Sequence, residues 1–162
     1  SSAWGCHFSN STIIGTVSIA GEPSDESDTV LAYAGAKVAG KDATLGYIFD
    51  SDKLVQIFVH FTEEHTYEGD FIDDFEKIDK ALSTIYPAGD YTDFYYWKND
   101  LFKDDEENYG LAISAGQLSI GSNYKNSSVV IYHLLSGDNF TISHTITYES
   151  PDYVETTDTS GL

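Results

Sequence analysis

From Phe140 to Tyr148 the chain alternates without a break, with Phe140, Ile142, His144, Ile146 and Tyr148 in one row and Thr141, Ser143, Thr145 and Thr147 in the other. Successive side chains of a strand point to opposite faces, so this pattern predicts an antiparallel strand, Asn139 to Tyr148, with one buried and one wet face. The same periodicity recurs earlier. Leu45, Tyr47 and Phe49 share a row, "DSDK" makes a turn, and Val55, Ile57, Val59 and Phe61 share the next row, which predicts a hairpin with His60 pointing away from its apolar side. Further strands are expected over Thr92 to Lys98, Gly110 to Ala115, Leu118 to Tyr124 and Ser128 to Leu135. Residues 1–29 are weakly patterned, with "GEPSDESD" as a turn-rich loop, so regular structure is expected from Val30 onward.

One segment breaks the twofold rhythm. Phe71, Phe75, Ile78, Leu82 and Ile85 recur at three- and four-residue spacing, the mark of a single amphipathic helix over about 70–86. Asp70 is the expected N-cap, Asp73 and Asp74 suit the positive first turn, Lys77 and Lys80 come later, and Pro87 with Gly89 ends the helix. Seven to eight strands joined by short turns around one helix predict an α+β fold, a curved antiparallel meander packed on that helix. A length of 162 residues suits one such domain over 1–150, followed by a flexible acidic tail at 151–162.

Charge narrows the partners. Acidic residues number 27 against 8 basic ones, and every basic residue is a lysine. A net charge of −19 repels phosphate backbones and anionic lipid, so no nucleic-acid partner is expected, and no apolar run is long enough to span a bilayer. The chain lacks methionine even at position 1, as expected of one trimmed at its start by removal of an export signal or by truncation. Cys6 is the only cysteine, which precludes an internal disulfide; "AWGC" has Trp4 where a lipid-attachment signal needs a small residue, so Cys6 reads as a tucked-in thiol. Sequons begin at Asn10, Asn126 and Asn139 and matter only in a glycosylating host.

The candidate sites are few. "HFTEEH", His60 to His65, brings two imidazoles and two carboxylates together, the ligand chemistry of zinc and of acid–base catalysis. Its histidines are five apart, however, and His60 is expected on a strand, whereas a zinc-protease motif needs them four apart on a helix. Glu63, Glu64 and His65 are therefore expected mainly to brace the hairpin–helix junction, pairing with Lys98 if "WKND" returns beside them, with ligand contact as a further role. His133 and His144 lie in apolar rows and read as hydrogen-bonded core residues; His7 supports no reading. "KDDEEN" offers Asp104, Asp105 and Glu106 as hard oxygen ligands for a surface cation, without the glycine and glutamate spacing of an EF-hand. "YTDFYYWK" places Tyr95 and Trp97 on one face and Phe94 and Tyr96 on the other; half is expected in the core, leaving Tyr95, Trp97 and the nearby Asp100 as ligand-binding candidates.

No nucleophile elbow, phosphate-binding glycine loop, paired-cysteine motif or nucleotide fingerprint occurs, so no catalytic residue and no cofactor is assigned. The segments "FTEEHTYEGDFIDDFEKIDKALSTIYP", "WKNDLFKDD", "YGLAISAG" and "LSGDNFTISHTITY", with "WG" near the start and "GEP" before the first strand, resemble those of a family of small uncharacterised bacterial proteins. The resemblance covers most of Val30 to Tyr148. It departs in the entry segment, where "FSNSTIIGTVSIAGEP" replaces a more charged helical stretch, and at Tyr86-Pro87, where tyrosine-glycine is usual. It implies bacterial origin and export, and it carries over no catalytic residue. The absence of catalytic motifs and the acidic, aromatic surface point to a non-catalytic binding domain for an unknown protein or small-molecule ligand, and the resemblance adds that it is exported. Two alternatives stand beside it: an acidic inhibitor that mimics a polyanion toward a basic partner, and a metal-dependent enzyme using the His60–His65 cluster.

Overall fold

A computed structural model describes residues 17–86 and 89–153. Among these residues nine strands form one antiparallel sheet: β1 (Val17–Ile19), β2 (Asp25–Glu26), β3 (Val30–Val38), β4 (Lys41–Asp50), β5 (Lys53–Phe61), β6 (Asp90–Trp97), β7 (Leu118–Lys125), β8 (Val130–Asp138) and β9 (Thr141–Glu149). Among the described residues two helices accompany them, α1 (Gly69–Ile85) and α2 (Tyr109–Ser114), the latter entered through a single 3₁₀ turn at Glu106–Asn108.

The spatial order is β1-β3-β4-β5-β9-β8-β7-β6, with β2 also on β3. This is not one meander. β3–β5 run as one, the chain then passes through α1 to the far edge at β6, and a second meander returns inward until β9 closes against β5. Register along that seam pairs Val59 with Ile146 and Phe61 with His144, so the buried rows of the two meanders become one face.

The predicted alternation holds in the middle of the sheet. Ile57, Val59, Phe61, His144, Ile146 and Tyr148 are buried, while Phe58, His60, Thr145 and Thr147 lie half-buried on the opposite face. Phe140 does not belong to its expected row. Asn139 and Phe140 form the β8–β9 turn with φ of 48° and 60°, the left-handed twist a two-residue hairpin demands, which leaves the Phe140 ring 72% exposed. The turn Ser51–Asp52 does the same between β4 and β5.

Four further expectations are corrected. Two short strands precede Val30, at Val17–Ile19 and Asp25–Glu26. The N-cap of α1 is Glu68, without a side-chain cap bond, and Asp70 sits in the first turn. The stretch expected as a strand over Gly110–Ala115 is instead the helix Tyr109–Ser114 with Ala115 as its C-cap, because a short apolar run carries no length signal to separate strand from helix and tertiary packing decides. At its end Gly116, with φ of 71°, and Gln117 donate to the carbonyls of Ile113 and Ala112, closing the helix with a left-handed glycine cap. Finally, β6 is exposed along nearly its whole length, Tyr91, Phe94, Tyr95 and Tyr96 included, because it is an edge strand rather than a core strand. The expectations at Trp4, Cys6, His7, Asn10, Pro87 and the tail from residue 154 lie outside the described residues.

α1 lays Phe75, Ile78 and Leu82 on the sheet, and the core falls into two apolar clusters. Ile78 and Leu82 join Val59, Ile131, Ile146 and Tyr148 in the larger one. Phe75 joins Ile113, Leu118, Ile120 and Leu135 in the smaller one. α2 approaches so closely that two glycines are required: a Cβ on Gly110 would come within 2.6 Å of the Glu68 carbonyl carbon, and one on Gly137 would collide with the Ile113 carbonyl oxygen. Gly137→Ala therefore forces α2 off β8 and is expected to lower unfolding free energy by about 2–3 kcal/mol, measured by urea denaturation with unchanged m.

Candidate functional site: an acidic aromatic groove and two polar networks under the helix

The face of α1 that carries Phe75, Ile78 and Leu82 also carries two carboxylates, each the centre of a network. Asp74, 7% exposed, has its Oδ1 2.8 Å from the Lys41 ammonium of β4 and its Oδ2 2.8 Å from His65 Nε2. Lys41 also reaches Glu63 Oε2 at 3.0 Å. Burial pushes the Asp74 carboxyl up, but the Lys41 and His65 donors outweigh it and hold it below its ordinary value. Burial likewise pulls Lys41 down, and its two carboxylate partners raise it overall.

Glu63, His65 and Asp74 are the one set of three converging ligand groups among the described residues. Their oxygens and nitrogen suit a borderline divalent cation. The Lys41 ammonium already bridges two of the three, however, and supplies the positive charge that a metal would bring. His60, Glu64 and Phe140 share a cleft of about 420 Å³ with Glu63 and His65. Lys98 plays no part here, because β9, β8 and β7 separate β5 from β6. Glu64 is exposed and makes no hydrogen bond or ion pair with the described residues.

The second network surrounds Asp79. Its Oδ1 accepts from Ser122 Oγ and from His133 Nδ1 at 3.2 Å, and the Tyr124 hydroxyl lies 3.0 Å from both Oδ1 and the Asp79 backbone carbonyl oxygen. Tyr91 donates to Oδ2 at 3.2 Å. With Nδ1–H committed to the carboxylate, His133 Nε2 is an acceptor, and His144 Nε2–H donates to it across 2.8 Å. Phe75 stacks on the His133 ring at 4.0 Å. Burial pulls both imidazoles down, His144 to about 3 with the neighbouring His133 adding to the effect, so both are neutral at pH 7. Asp79 stays low because these donors outweigh its own desolvation. The core-histidine reading of His133 and His144 is thus what the structure contains. The Asp79 hub was not legible, since only the crossing of α1 over β7 and β8 brings its partners together.

Beyond Asp79, the helix-facing row of β6, Tyr91, Asp93, Tyr95 and Trp97, stands opposite α1 across a groove. Two adjoining hollows of about 360 and 610 Å³ share Glu76 and Tyr95 in their walls. Trp97 packs edge-on against Tyr109 at 5.1 Å, with Tyr95 6.4 Å from the same ring. Five carboxylates line the groove (Glu76, Asp79, Asp93, Asp104, Glu106) against two lysines, Lys80 and Lys103, and the latter is 3.4 Å from Asp100. The local field is registered by the phenols: burial and then Asp79 and Asp93 push Tyr91 up to about 12, and burial with Glu76 and Asp93 raises Tyr95.

The structure therefore gathers Tyr95, Trp97, Asp104 and Glu106 at one groove with Asp100 beside it, and sets Glu63, Glu64 and His65 at a separate cleft. Asp104, Asp105 and Glu106 do not converge on a common point; Asp105 instead accepts from the Asn108 amide at 2.7 Å.

Two outcomes follow for the networks. His65→Ala leaves a buried carboxylate short of a donor and is expected to cost about 1–2 kcal/mol, whereas Glu64→Ala stays within about 0.5 kcal/mol, both by chemical denaturation. The two histidines bind protons more readily unfolded than folded, so stability is complete above about pH 6.5, the ordinary histidine value, and is lost as pH falls toward 3. His144→Gln keeps a donor for His133 and removes one such group; the acid slope should drop by up to about 1.4 kcal/mol per pH unit, and an unchanged slope would acquit His144. No protein-family model matches this chain, and no curated protein or solved structure does.

Proposed function

We propose that the protein is a non-catalytic binding domain, bacterial and exported as its sequence resemblance implies, that holds a positively charged ligand in the groove between α1 and β6. The observation that carries this reading is the lining of the two adjoining hollows: Tyr91, Tyr95 and Asp93 with Glu76 in one, and Tyr95, Trp97 and Tyr109 with Glu76 and Glu106 in the other. Aromatic faces attract ammonium and guanidinium groups through their quadrupole, and nearby carboxylates add charge attraction. At −19 the whole molecule steers cations toward it. The acidic-inhibitor reading uses the same complementarity, with a basic protein as the ligand.

A second reading gives the Glu63–His65–Asp74 corner metal-dependent chemistry and is favoured by the convergence of those groups. It requires the metal to displace Lys41, so Zn²⁺ affinity should rise steeply in Lys41→Ala if the corner is a ligand set.

Calorimetric titration with spermidine tests the main proposal. A uniformly acidic surface would bind it too, so the variants decide. Glu76→Gln with Glu106→Gln, and separately Tyr95→Ala, should each weaken binding about fivefold to tenfold, while Asp52→Asn, at the β4–β5 turn, leaves it unchanged. Equal affinity in all of them would remove the groove from the function.

A further inference from the structure

β6 is an unusually open sheet edge. Its residues Asp90 to Trp97 pair with β7 from Asp90↔Lys125 to Trp97↔Leu118 without a register shift, and among the described residues no strand lies on its other side. Exposed edges of this length are ordinarily blunted by lysine, proline or a bulge, because their free N–H and C=O groups recruit other chains. β6 has none of the three. It carries aromatics on both faces instead, Tyr95 at 55% and Tyr96 at 61% exposure, and its only charges are Asp90 and Asp93.

Resting on the cation-binding reading above, we infer that the natural occupant is an extended lysine- or arginine-bearing peptide segment of a partner, which adds to β6 as a further antiparallel or parallel strand. Main-chain hydrogen bonds to the free edge supply affinity without sequence preference, and alternate side chains supply the selection. Those on the helix side enter the groove past Tyr95 and Trp97 and meet Glu76 and Glu106. Those on the other side lie against Phe94 and Tyr96, the former already packed over Gly121. Charge works against the obvious competitor: a second copy docking edge to edge would bring together two chains each at −19.

The test compares spermidine with a peptide of alternating lysine and threonine long enough to match β6, its glutamate–threonine counterpart, and two versions of the lysine peptide N-methylated on alternate residues, one along each edge. Calorimetry gives affinity, and hydrogen exchange reports the β6 amides. The lysine peptide should bind at least about tenfold more tightly than spermidine, the glutamate peptide should not bind, one methylated version should fall back to the spermidine level, and β6 amides should gain protection. If both methylated versions bind like the parent, strand pairing is overturned while cation binding stands. If neither spermidine nor the lysine peptide binds, both readings fail together. If sedimentation shows a dimer that the lysine peptide must dissociate, the edge belongs to a second copy and the inference is overturned.

Discussion

The Asp79 carboxylate ties α1 to half of the sheet. Tyr91 reaches it from β6, Ser122 and Tyr124 from β7, and His133 from β8, while His144 extends the chain to β9. Helix α1 is thereby bound to three consecutive strands through one side chain, and to a fourth through His133. A carboxylate in such a place is costly unless its lone pairs are filled, and here the donors are so numerous that it remains ionised below its ordinary range. The neutral histidines are the complement of that arrangement, because burial beside Phe75 and Phe61 penalises an imidazolium by more than the Asp79 carboxylate favours it at His133.

Asp74 does for the first meander what Asp79 does for the second. Lys41 belongs to β4, and Glu63 and His65 to the segment leading out of β5, so the helix is pinned to both halves of the sheet on opposite sides of the β5–β9 seam. The polar groups also divide the apolar core: on β8, Ile131 lies in one cluster and Leu135 in the other, with His133 between them. Apolar burial supplies the driving force in each cluster, while the polar band sets where along the sheet the helix must sit.

The groove is a consequence of that placement. Tyr91 is the last point at which β6 touches the Asp79 hub, and farther along the strand Tyr95 and Trp97 face α1 across open space. α2 and the 3₁₀ turn close its far end with Tyr109 and Glu106. The edge strand thus keeps one aromatic row over an acidic hollow and, among the described residues, a backbone edge that no further strand covers, which is the combination that the binding proposals use.

Local pattern determined the strands of the sheet centre and the long helix, because twofold and 3.6-fold apolar periodicity follow directly from which face is buried. His144 and His133 could be placed in core rows for the same reason, whereas the Thr141–Thr147 row expected to be wet is half-buried from Ser143 onward. The short helix Tyr109–Ser114 was beyond such reasoning: its six residues fit either state, and only Gly116 at its C-terminus hinted at the outcome. The exposure of β6 was legible only for one face, since alternation in an aromatic-rich segment assigns the other row to the core until the strand order places it at an edge. Composition alone announced an acidic molecule. Which carboxylates are spent on bracing the helix, as Asp74 and Asp79 are, and which remain to line a groove, as Glu76 and Glu106 do, depends on contacts between residues tens of positions apart, and those exist only once the two meanders have closed on each other.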